Sequence, residues 1–281
     1  MSAEFSWNSL FFAPAKLNLF LHVVGRLSNG YHQLQTVLRL IDYGDFLRFE
    51  KSNEIVLKNK IAGVADCDNL CFKAAQALKT ATGYKKGAAI FLEKNLPQGG
   101  GLGGGSSDAA TVLMALNFLW QTKLSREELM KIAITLGADV PFFIFGEAAF
   151  AEGVGEKLQK VQLPNTFYLL LTPNVSCPTP LIFNDPLLKR NTPKITADSW
   201  QSVETQNDLE PVALHLFPEL QQVLSDFQHV APNAKMTGSG ACFFAEFESK
   251  LGARQAQQAL PNFKTQIVQT LQTHPLKNLV F

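Results

Sequence analysis

Alternating positions near the start of the chain predict β-strands. Between residues 10 and 24, one face carries Leu17, Leu19, Leu21 and Val23, and the other carries Lys16, Asn18, Phe20 and His22. A period of two is typical of a strand, and here it predicts one strand that runs into a second. A turn signal at residues 28–30 ends this run. Residues 34–50 predict one or two further strands, with a break at residues 42–45.

Helical and strand patterns alternate along the rest of the chain. The first half predicts a helix over residues 69–82, a strand over 88–92 and a helix over 109–120. A further helix is opened by a capping box of Ser125 and Glu128 and closed by Gly137. The second half predicts strands at 168–171 and 241–247, and helices around 208–229 and 249–260. The pattern indicates an α+β protein with domains at 1–160 and 161–281.

Composition excludes several classes of protein. Hydrophobic residues make up 46% of the 281 residues and charged residues 17%, so the chain can bury a sizeable core and is not disordered. The net charge of +1 gives no reason to expect nucleic acid or a membrane surface as a partner. The amino terminus resembles neither a signal peptide nor a membrane span, which predicts a cytoplasmic protein.

The cysteine spacing does not indicate a metal site. Cys67 and Cys71 are separated by three residues, and no second pair completes a zinc motif around Cys177 or Cys242. We therefore expect four reduced thiols, most of them buried.

The segment Pro97–Gly105 contains six glycines in nine residues and leads into a predicted helix near Asp108. Glycine loses the most entropy on folding, so such a run needs a reason, and one reason is close approach of the backbone to a ligand. Main-chain amide groups at a helix N-terminus bind anions, and the triphosphate of ATP is the obvious candidate. A flexible connection or a close contact between helix and strand is the structural alternative.

Two common nucleotide-binding motifs do not account for this loop. The Walker A motif requires a Gly-Lys-Ser/Thr ending, and no lysine stands at the end of the loop. A Rossmann fingerprint is formally satisfied by Gly99, Gly101 and Gly104. That fold needs a strand after the helix with an acid at its end, whereas a second helix follows here.

The segment PQGGGLGGGSSDAA, residues 97–110, resembles the phosphate-binding signature of the GHMP kinases. Two extra glycines before Ser106, and Asp108 in place of a small residue, resemble the branch that acts on a CDP-linked methylerythritol. Four further motifs match in order, from about residue 13 to 247. They are Ala13–Leu19, Asn29–His32, Gly137–Pro141 and Thr237–Ala241.

This resemblance implies a fold and a reaction. The expected fold is a two-domain GHMP kinase, with an N-terminal domain similar to ribosomal protein S5 domain 2 and a ferredoxin-like C-terminal domain. The expected reaction transfers the γ-phosphate of ATP, with Mg²⁺, to the tertiary 2-hydroxyl of the methylerythritol part of the CDP-linked substrate. The product belongs to the non-mevalonate route to isoprenoid precursors.

The resemblance also implies the catalytic residues. Asp139 is the expected base that takes the proton of the attacking hydroxyl, and its alternative role is an N-cap for the segment Pro141–Phe145. Lys16 is expected beside Asp139, where it stabilises charge on the reacting oxygens; otherwise it is an exposed lysine on a strand. Asn18 is expected to bind substrate, whereas His22 is taken as structural.

Substrate recognition is implied at the turn after the first strands. Tyr31 and His32 are expected to recognise cytosine by stacking and by reading the base edge, with Phe183 as the second aromatic wall. Phe183 is alternatively a core residue. Thr179 is expected to contact the substrate. Thr237 and Gly238 are expected to support the phosphate loop or the substrate diphosphate, or else to form a plain turn.

Nucleotide contacts are implied along the glycine loop. Ser106 and Ser107 are expected to cap the following helix, and Ser107 is also the candidate Mg²⁺ ligand. Asn69 is expected near the adenine. The loop residues expected to bind ATP are Pro97, Gly99, Gly100, Gly101, Leu102, Gly103, Gly104 and Gly105.

Two other functions fit part of this pattern. A GHMP kinase for mevalonate or homoserine would share the ATP site, but it would leave the Asn-Gly-Tyr-His motif and the doubled glycines without a role. A nucleotide-binding regulator that has lost the chemistry would not be expected to keep both Lys16 and Asp139.

Overall fold

The computed structural model describes residues 5–59, 61 and 63–280, so the first four residues of the amino-terminal segment lie outside it. Within these ranges the strands are β1 Leu10–Arg26, β2 His32–Ser52, β3 Val56–Leu57, β4 Gly87–Glu93, β5 Ala149–Gly153, β6 Lys157–Lys160, β7 Phe167–Leu171, β8 Lys235–Met236, β9 Phe243–Phe247 and β10 Thr265–Leu271. The α-helices are α1 Leu70–Thr82, α2 Gly104–Leu119, α3 Arg126–Leu136, α4 Val140–Phe145, α5 Thr179–Asn184, α6 Glu210–Leu216, α7 Glu219–Val230 and α8 Lys250–Gln258.

The long strand β2 organises the sheet. β1 pairs antiparallel along one of its edges, from Leu10 opposite Arg48 to Arg26 opposite His32. The other edge is shared in succession by β5, β10 and β4. Because β10 also pairs with β7, and β7 with β9, the two halves of the chain form one continuous sheet.

Helices cover the sheet and bury its apolar positions. In the N-terminal half, α1, α2 and α4 pack on β1, β2 and β4 around side chains such as Phe49, Leu113 and Phe142. α2 is buried from Ser107 to Asn117, which agrees with its apolar sequence on every side. In the C-terminal half, α6, α7 and α8 enclose Phe227 and Phe243. No helix in the described ranges is long and apolar enough to cross a membrane.

A bulge in β1 corrects the predicted alternation. Asn18 pairs with Leu38 and Leu21 with Thr36, so β1 holds one more residue than β2 between these pairs. The extra residue reverses which side chains face each side of the sheet. Leu21 therefore joins Lys16 and Asn18 on the cleft side, whereas the ring of His22 packs against Phe20 on the other side.

The predicted break at residues 42–45 is a second bulge within one continuous strand. Pro14 pairs with Gly44 and Ala15 with Ile41, so Asp42 and Tyr43 are extra residues in β2. Their side chains have other partners, since Asp42 Oδ1 accepts a hydrogen bond from the Gln269 amide at 2.6 Å. The turn-forming residues are thus accommodated without ending the strand.

Most helix predictions are confirmed, and one boundary is wrong. α1 and α8 agree with prediction, and α3 has the predicted capping box of Ser125 and Glu128. α2 begins at Gly104, five residues before the predicted start, because the last glycines of the loop already have helical geometry. Gly103 is therefore its N-cap, and the capping role predicted for Ser106 and Ser107 is wrong.

Candidate active site

The glycine loop is held between β1 and a second glycine loop, the segment Thr237–Gly240. The Leu102 carbonyl accepts a hydrogen bond from the Lys16 amide at 3.0 Å, and the Gly99 carbonyl accepts one from the Ala241 amide at 3.1 Å. Gly101 has a φ of 72°, and a Cβ there would lie 2.2 Å from the Thr237 carbonyl oxygen. Only glycine fits this close approach, because it tolerates positive φ and has no side chain.

The loop ends at the N-terminus of α2. Gly103, the N-cap, has a φ of 72°, and the helix geometry leaves the first amide groups of α2 without partners inside the helix. These amides and the positive end of the helix dipole form an anion site at the cleft. Gly103, Gly104, Gly105 and Ser106 all line the cleft at this point.

The two serines after the glycines have different surroundings. Ser106 lines the cleft. Ser107 is fully buried, and its hydroxyl donates to the Pro14 carbonyl at 2.6 Å. Successive residues of a helix point in different directions, so only one of the pair faces the cleft. The Mg²⁺ role predicted for Ser107 is therefore corrected: its hydroxyl ties α2 to β1.

Lys16 and Asp139 meet on the floor of the cleft. Lys16 Nζ lies 3.5 Å from Asp139 Oδ2, and the side chains are 4% and 36% exposed respectively. The Lys16 ammonium also donates to Asn18 Oδ1. Asp139 occupies the N-cap position of α4 but its side chain makes no capping hydrogen bond. The Asp139 side chain therefore does not cap α4, and its carboxylate faces the cleft.

Asn18 orients this pair. Its amide group donates to Thr36 Oγ1 at 2.9 Å, and its backbone amide donates to Thr237 Oγ1 at 2.9 Å. Thr237 is fully buried and does not line the cleft. Of its two predicted roles, support of the glycine loop agrees with its carbonyl packing against Gly101, and its side chain also supports β1, whereas its position does not favour a contact with substrate. Gly238 lines the cleft, as do Ser239 and Thr179, whose hydroxyls lie 2.8 Å apart.

Aromatic side chains line the opposite end of the cleft. The rings of His32 and Phe183 lie 5.1 Å apart at 34°, although β2 carries the first and α5 the second. Tyr31 is 62% exposed at the rim. Burial, followed by the positive charges of Arg190 and Arg26, lowers the pKa of His32. These influences favour the neutral form of the His32 imidazole.

A buried charge cluster beneath the glycine loop was not predicted. Lys94 Nζ donates to Asp108 Oδ2 at 2.8 Å and to Asp45 Oδ2 at 2.5 Å. Burial and the charge of Asp45 raise the pKa of Asp108, although Lys94 opposes them. A Cβ on Gly104 would lie 3.3 Å from Lys94 Nζ, so the ammonium lies against the first turn of α2. The sequence signal was Asp108 itself, an acid three residues after the end of the glycine run.

The remaining predicted nucleotide contacts lie on one wall of the cleft. Asn69 is buried, and its side-chain oxygen caps α1 by accepting a hydrogen bond from the Cys71 amide at 2.8 Å. Asn69 and Pro97 both line the cleft, whose volume is ≈ 910 Å³. This volume lies near the upper end of ordinary small-molecule sites.

Comparisons with known proteins agree with this geometry. Residues 69–147 match the GHMP kinases N terminal domain and residues 192–265 match the GHMP kinases C terminal domain. A 4-diphosphocytidyl-2-C-methyl-D-erythritol kinase from Dechloromonas aromatica (strain RCB) is 51% identical over 95% of this chain and 98% of its own length. Another from Azoarcus sp. (strain BH72) is 50% identical over 95% and 96%.

Solved structures extend the comparison to the fold. A crystal structure of a 4-(cytidine 5'-diphospho)-2C-methyl-D-erythritol kinase matches with a TM-score of 0.80 and 35% identity, over 93% of this chain and 99% of that one. A homoserine kinase from Cytophaga hutchinsonii ATCC 33406 matches over 98% and 97% with a TM-score of 0.70, but at 18% identity it indicates the fold alone. The predicted α+β GHMP kinase fold is confirmed. The chain belongs to the 4-diphosphocytidyl-2-C-methyl-D-erythritol kinases of the GHMP kinase family.

Proposed function

We propose that this protein transfers the γ-phosphate of ATP to the 2-hydroxyl of 4-diphosphocytidyl-2-C-methyl-D-erythritol, with Asp139 as the base. The observation that carries the residue assignment is the Lys16–Asp139 pair, which lines the same cleft as the glycine loop and the aromatic residues Tyr31, His32 and Phe183. Residues 1–160 are proposed as the ATP-binding domain and residues 161–281 as the C-terminal domain.

The glycine loop is the proposed site of the triphosphate. Its Leu102 carbonyl accepts a hydrogen bond from β1, and its Gly99 and Gly100 carbonyls accept from the residues that follow the second glycine loop. The loop backbone is therefore held in place without a ligand. Preorganised donors lose little entropy on binding, and they hold the γ-phosphate at a fixed distance from the acceptor. Asn69 and Pro97 are proposed to contact the nucleoside end. The side-chain oxygen of Asn69 caps α1, so its side-chain NH₂ group is the part proposed to contact the adenine.

Phosphoryl transfer depends mainly on an in-line arrangement of the attacking and leaving oxygens and requires little covalent chemistry from the protein. The 2-hydroxyl oxygen attacks the γ-phosphorus while the bond from that phosphorus to the β,γ-bridging oxygen breaks. Asp139 accepts the hydroxyl proton, and the ammonium of Lys16 stabilises the negative charge on the equatorial oxygens. Asn18 accepts a hydrogen bond from Lys16 and so directs the ammonium toward Asp139.

The cytidine end is proposed to lie between Tyr31 and Phe183, with His32 reading the base edge. Base–aromatic stacking contributes about 1–3 kcal/mol per base, which is enough to decide between acceptors that share the same fold. Thr179 lies on the same helix as Phe183, and a Cβ on Gly238 would lie 3.3 Å from Asn18 Oδ1. Both residues line the cleft and are proposed to contact the substrate diphosphate. Neither mevalonate nor homoserine would use these side chains.

We infer that Mg²⁺ accompanies ATP. Among the described residues no three His, Cys, Asp or Glu side chains form a metal cluster. That composition fits Mg²⁺, which is usually bound by phosphates and water with only one or two protein oxygens. The hydroxyl oxygen of Ser106 lines the cleft and would hold the ion together with the phosphates of ATP; when bound, the ion supplies positive charge to the phosphate oxygens. A cytoplasmic location is proposed because all four cysteines are free.

The direct test is ADP release from Mg·ATP with the CDP-linked methylerythritol, mevalonate or homoserine as acceptor. We expect stimulation by the CDP-linked compound alone. Stimulation by mevalonate or homoserine would reassign the acceptor, and ATP binding without transfer to any acceptor would favour a nucleotide-binding regulator. This chain is 50–51% identical to two kinases named for the CDP-linked substrate, which argues against both another acceptor and a non-catalytic regulator.

A further inference from the structure

Arg190 joins the two residues that face each other at the aromatic end of the cleft. Its Nε donates to His32 Nε2 at 3.0 Å, and its Nη2 donates to the Phe183 and Asp185 carbonyls at 3.0 and 2.8 Å. Its Nη1 donates to the Leu188 carbonyl at 2.9 Å. The planar guanidinium therefore donates hydrogen bonds both to carbonyls at the end of α5 and to a side chain of β2.

The contact with His32 determines where the imidazole proton lies. Arginine stays protonated and can only donate hydrogen bonds, so His32 Nε2 must accept. A neutral imidazole with an accepting Nε2 carries its single hydrogen on Nδ1. In the described part of the chain His32 Nδ1 has no hydrogen-bond partner, and it is not among the fully buried polar atoms. This nitrogen is the donor left for a ligand.

We propose that Arg190 is a positioning residue that fixes His32 as the Nδ1–H tautomer and thereby selects cytosine over uracil. The proposal rests on the proposed function, in which His32 reads the edge of the base. In this contact Nδ1–H donates to N3 of cytosine, which is an acceptor, and not to O2, which uracil carries as well. Uracil carries a hydrogen on N3, which would oppose that of Nδ1. A histidine free to change tautomer would present an acceptor to uracil and would discriminate less.

The same side chain sets the spacing of the stacking wall. Phe183 lies in the last turn of α5, where its carbonyl accepts no hydrogen bond from another backbone amide of that short helix. The hydrogen bond from Arg190 holds this carbonyl while Nε holds His32, so the two rings keep their 5.1 Å separation. One guanidinium therefore positions the reading group and the stacking group together.

The test compares Arg190→Met with a matched control in the same loop. Methionine keeps an unbranched stem but removes every donor. Asp185→Ala removes the carboxylate that accepts from the Leu187 amide at 2.8 Å, and so it loosens the loop without touching the donor to His32. The probes are the CDP-linked substrate and its UDP-linked counterpart, with kcat and KM measured for each.

We expect wild type and Asp185→Ala to prefer the CDP-linked compound strongly. In Arg190→Met the ratio of kcat/KM between the two compounds should fall about tenfold, the value of one hydrogen bond to the base. The KM for ATP should stay unchanged. If wild type does not use the CDP-linked substrate, the proposed function fails; if it does and Arg190→Met keeps the full preference, only the role of Arg190 fails.

A second measurement needs no variant. The ¹⁵N chemical shifts of the His32 imidazole in the wild-type protein distinguish a protonated Nδ1 from a protonated Nε2. We expect Nδ1 to carry the hydrogen at pH 8. A dominant Nε2–H tautomer would overturn the proposal even if Arg190→Met did not fold.

Discussion

Lys16 Nζ lies 3.5 Å from Asp139 Oδ2, although the two residues come from a strand at the start of the chain and from the turn before α4. The lysine side chain is buried and the carboxylate is partly open to the cleft. A buried ammonium is stabilised by such a partner. The pair thus brings the proposed charge-stabilising group and the proposed base together at a single point.

Asp139→Asn should remove the proton acceptor and leave the shape of the cleft unchanged. Turnover is expected to fall by about 10²–10⁴-fold, the range typical of general base catalysis. ATP affinity, measured by equilibrium titration of the variant, should remain near the wild-type value because the glycine loop is intact. Near-normal turnover would exclude Asp139 as the base.

His32→Ala should weaken binding of the cytidine substrate and spare ATP. Loss of the hydrogen bond to the base edge, and of the ring that packs against Phe183, is expected to raise KM for that substrate by roughly tenfold. Steady-state kinetics with each substrate varied in turn gives both constants. His229→Ala, on the exposed side of α7, is the control and should change neither constant. Equal increases in both KM values in His32→Ala would argue against a cytosine site.

The neighbouring serines should respond differently to the loss of a hydroxyl. Ser107→Ala leaves the buried Pro14 carbonyl without its donor and is expected to cost about 1–3 kcal/mol of unfolding free energy. Ser106→Ala should leave stability nearly unchanged and raise KM for Mg·ATP, since its side chain lines the cleft. Urea denaturation and ATP titration of both variants separate these effects. The reverse assignment would return the metal role to Ser107.

Two glycines of the same loop should tolerate alanine very differently. In Gly101→Ala the new methyl group meets the Thr237 carbonyl and the backbone keeps a strained positive φ, so ATP affinity should fall sharply. In Gly105→Ala the methyl group lies inside α2, 3.4 Å from Leu70 Cδ1. In Gly105→Ala the free energy of unfolding should stay unchanged or rise by up to ~1 kcal/mol, because alanine favours the helix. Equal loss of ATP affinity in both variants would contradict a rigid loop.

His274 should make the fold sensitive to mild acid. It is buried, its Nδ1 accepts from the Leu276 amide at 3.1 Å, and burial lowers its pKa from 6.5 to about 3. Between pH 6.5 and about pH 3, His274 is protonated in the unfolded chain but not in the folded protein. The free energy of unfolding therefore decreases as the pH falls below 6.5. The loss between pH 7 and 5 is roughly 2 kcal/mol.

Comparison of His274→Asn with wild type isolates this contribution. The asparagine oxygen can accept from the Leu276 amide but does not titrate. Urea denaturation at pH 7 and pH 5 should therefore show a smaller loss of stability in the variant, by about the 2 kcal/mol expected for one buried histidine. The contributions of His22 and His32, whose pKa values are also lowered, cancel in the difference. An identical loss in both proteins would show that His274 is not responsible.

Local patterns in the sequence were enough to predict the features that depend on neighbouring residues. The glycine run, the capping box of Ser125 and Glu128, and most of the helices follow from backbone preferences and periodicity. The motif resemblance extended this to the kinase family and to Asp139. These features are readable because the physical causes, such as backbone freedom and helix capping, act over a few residues.

Only the tertiary structure determined which side chains meet. A single extra residue in β1 moved His22 away from the cleft and placed Leu21 in it, and the direction of one helical residue separated Ser107 from Ser106. The cluster of Lys94, Asp45 and Asp108 and the bond from Arg190 to His32 join residues far apart in the chain. Such contacts depend on strand register and helix rotation, which the packing of the whole core decides and no local pattern records.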